Sequence, residues 1–165
     1  HLWGLLDEFD EPRFAEAEMF MGGTEFDYWT DPATVESIDP GRTTFAVGAK
    51  RRLEMVADMI ARLEPGDSPV AGITARLLPG HTPGHMGFDL GEVLLVGDAI
   101  GNPHIAFERP GFHTGSDQDA TMAAETRLAL MAELAGSGQG IVGFHLPDGG
   151  IGKVVAEGEG YRFEA

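Results

Sequence analysis

The order of apolar and polar positions predicts short strands interrupted by helices. Between positions 47 and 63 the apolar residues Leu53, Val56 and Ile60 recur at helical spacing, and Pro65 follows, so a helix is expected there. The last two of the short apolar runs are separated by a Glu-Gly-Glu turn and predict a hairpin. Together these runs predict strands at positions 17–21, 73–78, 86–90, 92–96, 141–144, 153–156 and 160–163.

Capping residues and turn-rich segments complete this interpretation. Ser116 or Asp117 is expected to cap a second long helix, and Thr24 is expected to cap a brief one. The segments 32–43 and 101–115, which are rich in proline and glycine, are predicted as loops, and the second suits the lining of a pocket. The mixture of strands and helices predicts an α/β (α+β) fold in one domain over residues 1–165.

Composition narrows the class of protein. The sequence has 165 residues, 42% of them hydrophobic, and no apolar run of membrane-spanning length, so a soluble protein is expected, either cytoplasmic or exported. Asp and Glu number 27 against 11 Lys and Arg, and the net charge of −16 disfavours nucleic acid as a partner because phosphate backbones repel such a surface. With no cysteine in the chain, a metal ion would be bound by histidine, aspartate or glutamate.

Three candidate metal ligands stand where predicted strands end. His81 opens the segment His81-Thr82-Pro83-Gly84-His85, Asp98 follows an apolar strand, and His145 lies where another apolar run breaks before a proline. Histidine and carboxylate side chains at neighbouring strand ends are positioned to share a metal ion. A fourth candidate, His1, stands at the first position of the sequence.

These segments resemble the successive motifs of metallo-β-lactamase-fold hydrolases, and the resemblance covers nearly the whole chain. It is carried by His81-Thr82-Pro83-Gly84-His85, by Leu95-Val96-Gly97-Asp98, and by Gly143-Phe144-His145 with the following Gly149-Gly150-Ile151-Gly152. The opening His1-Leu2-Trp3-Gly4-Leu5-Leu6 resembles the end of the family's HxHxDH motif, as in a sequence truncated within it. The closing residues 156–163 are similar to the ending of the methyl parathion hydrolase and lactonase-like branch.

The resemblance implies an αββα sandwich, of which this chain lacks most of the first sheet, and a site for two divalent metal ions, with zinc as the expected metal. In that site His81 would bind one metal, His1 and His145 the other, and Asp98 both. The preceding histidines and aspartate of HxHxDH are not in this sequence. Either they lie upstream in a longer protein, or the chain is a fragment with an incomplete site.

The chemistry of such a site explains these residue types. Neutral imidazoles bind a metal without cancelling its Lewis acidity, and one bridging carboxylate holds two metals roughly 3.5 to 4 Å apart. A water between the metals loses its proton near neutral pH, and the hydroxide attacks a carbonyl or phosphoryl group. The resemblance therefore implies a dinuclear hydrolase of a small ester, lactone or organophosphate, with Asp98 as its catalytic residue.

Other residues near these motifs have secondary roles in this interpretation. His85 is expected to be structural, its ring holding the loop rather than a metal. Asp117 and Asp119 are expected to cap the second long helix and to compensate its dipole. Three residues of the loop after the bridging aspartate are candidates for substrate contact: Phe107, His104 and His113.

Two alternative functions stay open at this point. The same fold hosts iron-dependent oxidoreductases of the persulfide dioxygenase type, which metal analysis and oxygen uptake distinguish from a hydrolase. The other alternative is a non-catalytic fragment or binding module. The expected partner is a small-molecule substrate, with neither nucleic acid nor membrane, and the apolar hairpins are compatible with a homodimer without requiring one.

Overall fold

The computed structural model of the protein describes residues 2–165, which form two compact units, one ending at Leu63 and the other comprising Glu64–Ala165. The first unit contains a two-stranded sheet and the second a six-stranded sheet, so the mixed α/β class expected from the sequence is confirmed. The organisation as a single domain stays a prediction. In the described part of the chain, no helix is long and apolar enough to cross a membrane.

The first unit combines two short parallel strands with three helices. Strand β1 (Met19–Gly22) pairs in parallel with β2 (Ile60–Leu63), and the helices between them supply the crossover that a parallel pair requires. These helices are α1 (Gly23–Thr30), α2 (Pro32–Ser37) and α3 (Thr43–Met55). Single 3₁₀ turns lie at Leu2–Gly4, Pro40–Arg42 and Ala57–Met59.

The loop predicted for positions 32–43 is wrong, because this segment begins with a helix. The Asp31 carboxylate accepts a hydrogen bond from the backbone N–H of Ala33 at 2.8 Å, and Pro32 occupies the first helical position. An aspartate cap followed by proline satisfies the first free N–H groups of a helix and presets its backbone angle. The Asp-Pro pair therefore marks a helix start here.

Two other predictions for the first unit need correction. The helix expected over 47–63 ends at Met55, and its last apolar residues belong to β2, since a short apolar run fits either a helix or a strand. The predicted Thr24 cap is wrong as well. The residue before α1 is Gly22, and no side chain there makes a capping hydrogen bond.

The second unit is built on one sheet whose six strands follow chain order. They are β3 (Thr74–Leu77), β4 (Met86–Asp89), β5 (Val93–Leu95), β6 (Gly140–Val142), β7 (Ile151–Glu157) and β8 (Gly160–Glu164). All neighbours are antiparallel except β5 and β6, which are parallel. Strands β3, β5 and β6 therefore run in one direction, and their carboxyl ends meet at the same end of the sheet.

After the short helix α4 (Ile105–Glu108), the long helix α5 (Ala120–Ser137) packs against this sheet. Its buried positions recur at helical spacing, and three of them, Leu130, Met131 and Leu134, form one apolar cluster with residues of the strands such as Leu94, Ile141 and Val154. The cap of α5 is Asp119, whose carboxylate accepts from the Met122 N–H at 2.9 Å, so neither Ser116 nor Asp117 has the predicted capping role. The buried positions of α5 are Ala123, Ala124, Arg127, Leu130, Met131 and Leu134.

Candidate functional site

Three of the predicted ligands lie at the same end of the six-stranded sheet. His81 follows β3, Asp98 lies in the 3₁₀ turn Gly97–Ala99 after β5, and His145 follows β6. Asp98 Oδ1 lies 2.9 Å from His145 Nε2, and Asp98 Oδ2 lies 3.5 Å from His81 Nε2. Each carboxylate oxygen thus faces one imidazole. The convergence expected from the sequence is observed for these three residues.

The three side chains are accessible to small molecules. The exposed fraction is 24% for Asp98, 26% for His81 and 43% for His145. Within residues 2–165, no three histidine, aspartate or glutamate side chains surround a common point as the ligands of a metal ion do; the imidazoles contact the carboxylate directly. The fourth predicted ligand, His1, lies outside the described residues. Metal binding by all four residues therefore stays a prediction.

Asp117 holds the side of the His81 ring that faces away from Asp98. Its Oδ1 lies 3.1 Å from His81 Nδ1, and its Oδ2 accepts hydrogen bonds from Thr114 Oγ1 at 2.7 Å and Arg127 Nη2 at 3.0 Å. The Asp117 side chain is only 3% exposed. The helix-start role predicted for this residue is therefore wrong, because its carboxylate is buried between a histidine and an arginine.

Arg127 is a buried cation within the apolar stripe of α5. Besides its bond to Asp117, its Nε donates to the Ala99 carbonyl at 3.3 Å, and its Nη1 donates to the carbonyls of Pro110 and Phe112 at 3.0 and 3.1 Å. A guanidinium suits this place because it is planar, always charged and rich in donors. It ties the long segment that follows Asp98 to the helix.

The electrostatic balance at Asp117 favours its ionised form. Burial alone raises the pKa of this carboxyl, but the hydrogen bonds from His81 and Thr114 and the charge of Arg127 outweigh that effect. The pKa of Asp117 therefore lies below its ordinary value of 3.8. At neutral pH the side chain is a carboxylate, which accepts hydrogen bonds and donates none.

The backbone before His81 lies against the start of α5. The N–H of Asp119 donates to the Gly80 carbonyl, and the N–H of Gln118 donates to the His81 carbonyl, both at 3.0 Å. Gly80 has φ +123°, and a Cβ at this position would lie 2.2 Å from the backbone nitrogen of Ala123. Only glycine allows this close approach, and the approach fixes the backbone position from which the His81 side chain projects.

His85 connects two strand ends. Its Nδ1 donates to the Leu78 carbonyl at 3.0 Å, and its Nε2 accepts from the backbone N–H of Asp98 at 3.0 Å. Both ring nitrogens are engaged with the backbone, in agreement with the structural role expected for this residue. A Cβ on Gly97, which has φ +52°, would lie 2.6 Å from His85 Nε2, so the approach of the ring requires glycine there.

His145 lies in a tight turn after β6. The Gly143 N–H donates to the Gly150 carbonyl at 2.9 Å, and a Cβ on Gly150 would lie 2.2 Å from the Gly143 oxygen. The chain crosses itself too closely for any side chain at this point. The neighbouring Phe144 is 73% exposed, and its ring meets the His145 ring edge-on at a centroid distance of 5.1 Å.

The predicted substrate contacts lie in different environments. Phe107 is 1% exposed and packs in the core at 5.9 Å from the Phe163 ring, so its burial does not support contact with a substrate. It belongs to the short helix α4 (Ile105–Glu108), which interrupts the predicted 101–115 loop and turns its apolar side inward. His104 and His113 are exposed, and substrate contact by them stays a prediction.

The sequence interpretation missed the roles of Asp117 and Arg127. A signal for Arg127 was present, because this residue falls on the apolar stripe of α5 between Ala124 and Leu130. A charged side chain at a core-facing position requires a buried partner. That requirement points to a nearby acidic residue without identifying which one.

No protein-family model and no curated protein matches the chain, but several solved structures do. The hydrolase AbOPH of the beta lactamase superfamily has a TM-score of 0.88 and 27% sequence identity over 99% of this chain and 60% of that chain. AidC, a dizinc quorum-quenching lactonase, has a TM-score of 0.89 and 22% identity over 99% and 59% of the two chains. A probable metal-dependent hydrolase from Staphylococcus aureus has a TM-score of 0.68 and 17% identity over 99% and 58%.

These matches establish the fold. The chain has the metallo-β-lactamase fold, as its motifs imply, and AbOPH, with 27% identity, is a hydrolase of the beta lactamase superfamily. At identities of 22% and 17%, the second and third matches bear on the fold alone. The chain spans about three fifths of the length of each of these structures.

Proposed function

We propose that this chain contributes to a dinuclear metal-dependent hydrolase that cleaves a small neutral ester, lactone or organophosphate. The observation that carries this proposal is the placement of Asp98 between two histidines, with Oδ1 at 2.9 Å from His145 and Oδ2 at 3.5 Å from His81. A carboxylate that turns its two oxygens to two different imidazoles is suited to bridging a pair of cations.

The residues present fit zinc or a similar divalent ion. Imidazole nitrogen and carboxylate oxygen are the donors that such ions take in a chain without cysteine. The set would comprise His81, Asp98 and His145, joined by His1 if the expectation for the first residue holds. When bound, a pair of divalent cations supplies Lewis acidity and an activated water as the nucleophile, so that no side-chain nucleophile is needed.

The protein's own part in the reaction is to position these donors. His85 holds the backbone N–H of Asp98, which fixes the point from which the bridging carboxylate projects. Asp117 holds His81 from the side opposite Asp98. The partial exposure of all three donors leaves access for a substrate, and the acidic chain favours a neutral substrate over an anionic one.

The similarity to solved structures supports the same class of reaction. That support comes from AbOPH, a hydrolase with 27% identity, whereas AidC, with 22% identity, bears on the fold alone. Because the chain spans about three fifths of those proteins, the activity is proposed for the whole protein in which it functions. Esters, lactones and organophosphates share an electrophilic carbonyl or phosphoryl centre that an activated water attacks.

The test is metal content measured together with hydrolysis. The full-length protein would be reconstituted with Zn²⁺, Mn²⁺ or Co²⁺, analysed by mass spectrometry of its metals, and assayed on aryl esters, lactones and organophosphate triesters. We expect two metal ions per chain and metal-dependent hydrolysis of at least one substrate class. Asp98→Asn should reduce both, because an amide bridges cations far less well than a carboxylate.

The matched control is Asp148→Asn, an exposed residue with φ 54° that asparagine tolerates. It should bind metal and turn over substrate like the wild type. Metal-replete protein that is inactive on all three substrate classes contradicts the proposal. A single iron with oxygen uptake would instead assign the protein to the oxidoreductase alternative.

A further inference from the structure

The network behind His81 has donors and acceptors that can each be assigned. The Arg127 guanidinium and the Thr114 hydroxyl both point at Asp117 Oδ2, at 3.0 and 2.7 Å. A guanidinium donates and never accepts. The atom at the Oδ2 position must therefore be an acceptor.

The other oxygen of Asp117 dictates the state of the His81 ring. Asp117 Oδ1 lies 3.1 Å from His81 Nδ1, and a carboxylate offers that nitrogen only an acceptor. Nε2 faces a carboxylate as well, but at the longer distance, so in the neutral ring Nδ1 carries the hydrogen and Nε2 keeps its lone pair. That lone pair lies on the side of Asp98, whose Oδ2 is 3.5 Å from Nε2.

We propose that Asp117, held by Arg127 and Thr114, is a positioning residue that selects the Nδ1–H tautomer of His81 and so keeps Nε2 free to bind a cation beside Asp98. The consequence for metal binding rests on the proposed function, whereas the choice of tautomer does not. Hydrogen bonds to the second nitrogen are the general means of setting which nitrogen of a histidine carries the proton.

The isosteric variant Asp117→Asn is expected to reverse the tautomer of His81. In the variant, the Arg127 guanidinium still requires an acceptor, so the amide oxygen takes the Oδ2 position. The amide NH₂ group then faces His81 Nδ1 and can only donate to it. The neutral ring is forced into the Nε2–H tautomer, which has no lone pair to offer a metal on the side of Asp98.

The experiment is ¹⁵N NMR of the histidine rings in the metal-free protein, at a pH where the His81 ring is neutral. Long-range ¹H–¹⁵N correlations distinguish the two tautomers, and comparison with His81→Asn assigns the signals. We expect the Nδ1–H form in the wild type and the Nε2–H form in Asp117→Asn. Asp119→Asn is the matched control, because asparagine caps a helix as well as aspartate does, and it should leave the tautomer unchanged.

Two results overturn the inference: an Nε2–H tautomer in the wild type, or an unchanged Nδ1–H tautomer in a folded Asp117→Asn variant. The first needs no variant and is decisive even if Asp117→Asn does not fold. Circular dichroism of the variant establishes that it is folded before its spectrum is used.

A calorimetric titration with Zn²⁺ separates this inference from the proposed function. We expect Asp117→Asn to bind Zn²⁺ about 10- to 100-fold more weakly than the wild type. A tautomer switch in a protein whose wild type binds no Zn²⁺ would refute the metal site and leave the positioning role intact. Zn²⁺ binding without the expected tautomers would refute the positioning role alone.

Discussion

The two histidines that flank Asp98 differ in what holds them. On the side of His81, the second ring nitrogen lies against the buried Asp117, which Arg127 in turn anchors to α5. On the side of His145, the ring is 43% exposed and meets the edge of the exposed Phe144. His81 and His145 were predicted by the same sequence argument, but the His81 ring is held by a buried side chain, whereas the His145 ring lies against an exposed one.

The largest contrast between the two sides is expected from Arg127→Met. This change leaves the buried Asp117 carboxylate without its cation and three backbone carbonyls without a donor. Removing one partner of a buried ion pair costs about 3–5 kcal/mol, and urea unfolding should measure a loss of that size. His145→Ala, on the exposed side, should change the free energy of unfolding by less than about 1 kcal/mol. Equal losses for the two variants would abolish the contrast.

Two glycine variants compare how tightly the backbone is packed near His81 and near His145. Gly80→Ala places a Cβ 2.2 Å from the Ala123 nitrogen at φ +123°, so steric overlap adds to backbone strain, for a loss of about 2–5 kcal/mol. Gly149→Ala, at φ +79° in open space near His145, carries only the backbone strain of about 1–2 kcal/mol. Thermal unfolding monitored by circular dichroism compares the two. A Gly149→Ala loss as large as that of Gly80→Ala would contradict this account.

A smaller, pH-dependent effect is expected where α5 meets β3. Glu133 of α5 binds Arg76 of β3 through both carboxylate oxygens, and these hydrogen bonds outweigh desolvation, so the pKa of Glu133 lies below 4.5. A lowered pKa gives stability that is complete above the unfolded value near 4.5 and is lost as the pH falls through the folded value.

The variant Glu133→Gln isolates that contribution. At pH 7 it should be less stable than the wild type by up to about 1 kcal/mol, because the pair is partly exposed. The difference should shrink once the pH drops below 4.5, when the wild-type carboxyl also becomes neutral. Urea unfolding across this pH range measures it, and a difference that grows in acid would show that the sign is wrong.

The smallest effect is expected from Phe144→Ala. The side chain is 73% exposed, so its removal should change the free energy of unfolding by about 0.5 kcal/mol or less. The same urea experiment provides the measurement. A loss comparable with that of Arg127→Met would mean that the His145 turn is supported as firmly as the His81 loop.

The sequence predicted the strands and the three converging residues because both depend on local pattern. The strands of the second unit coincide with short apolar runs or, as in β3, with alternating apolar and polar residues, and His81, Asp98 and His145 each follow a strand. The direction of the strands then brings their ends together. Conversely, the apolar residues of β2 continued the helical spacing of α3, and periodicity cannot separate the two in so short a run.

The surroundings of the site were not predictable in the same way. Asp117 is two residues from the true cap of α5, and its sequence position is equally compatible with a solvent-facing cap and a buried anchor. Only the fold places it against His81 and Arg127. The burial of Phe107 was not predictable for a related reason, since an aromatic residue in a loop-like segment gives no sign of which way its helix turns.

The contact between His85 and Gly97 also limits how this part of the protein can change in evolution. A side chain at position 97 would collide with the His85 imidazole. Gly97 can therefore be replaced only after His85 has been replaced. A smaller residue must first replace His85, at the cost of the bond to the Asp98 amide. Even then the left-handed backbone at position 97 admits little besides asparagine or aspartate, so descendants of this chain have few open routes away from a glycine there.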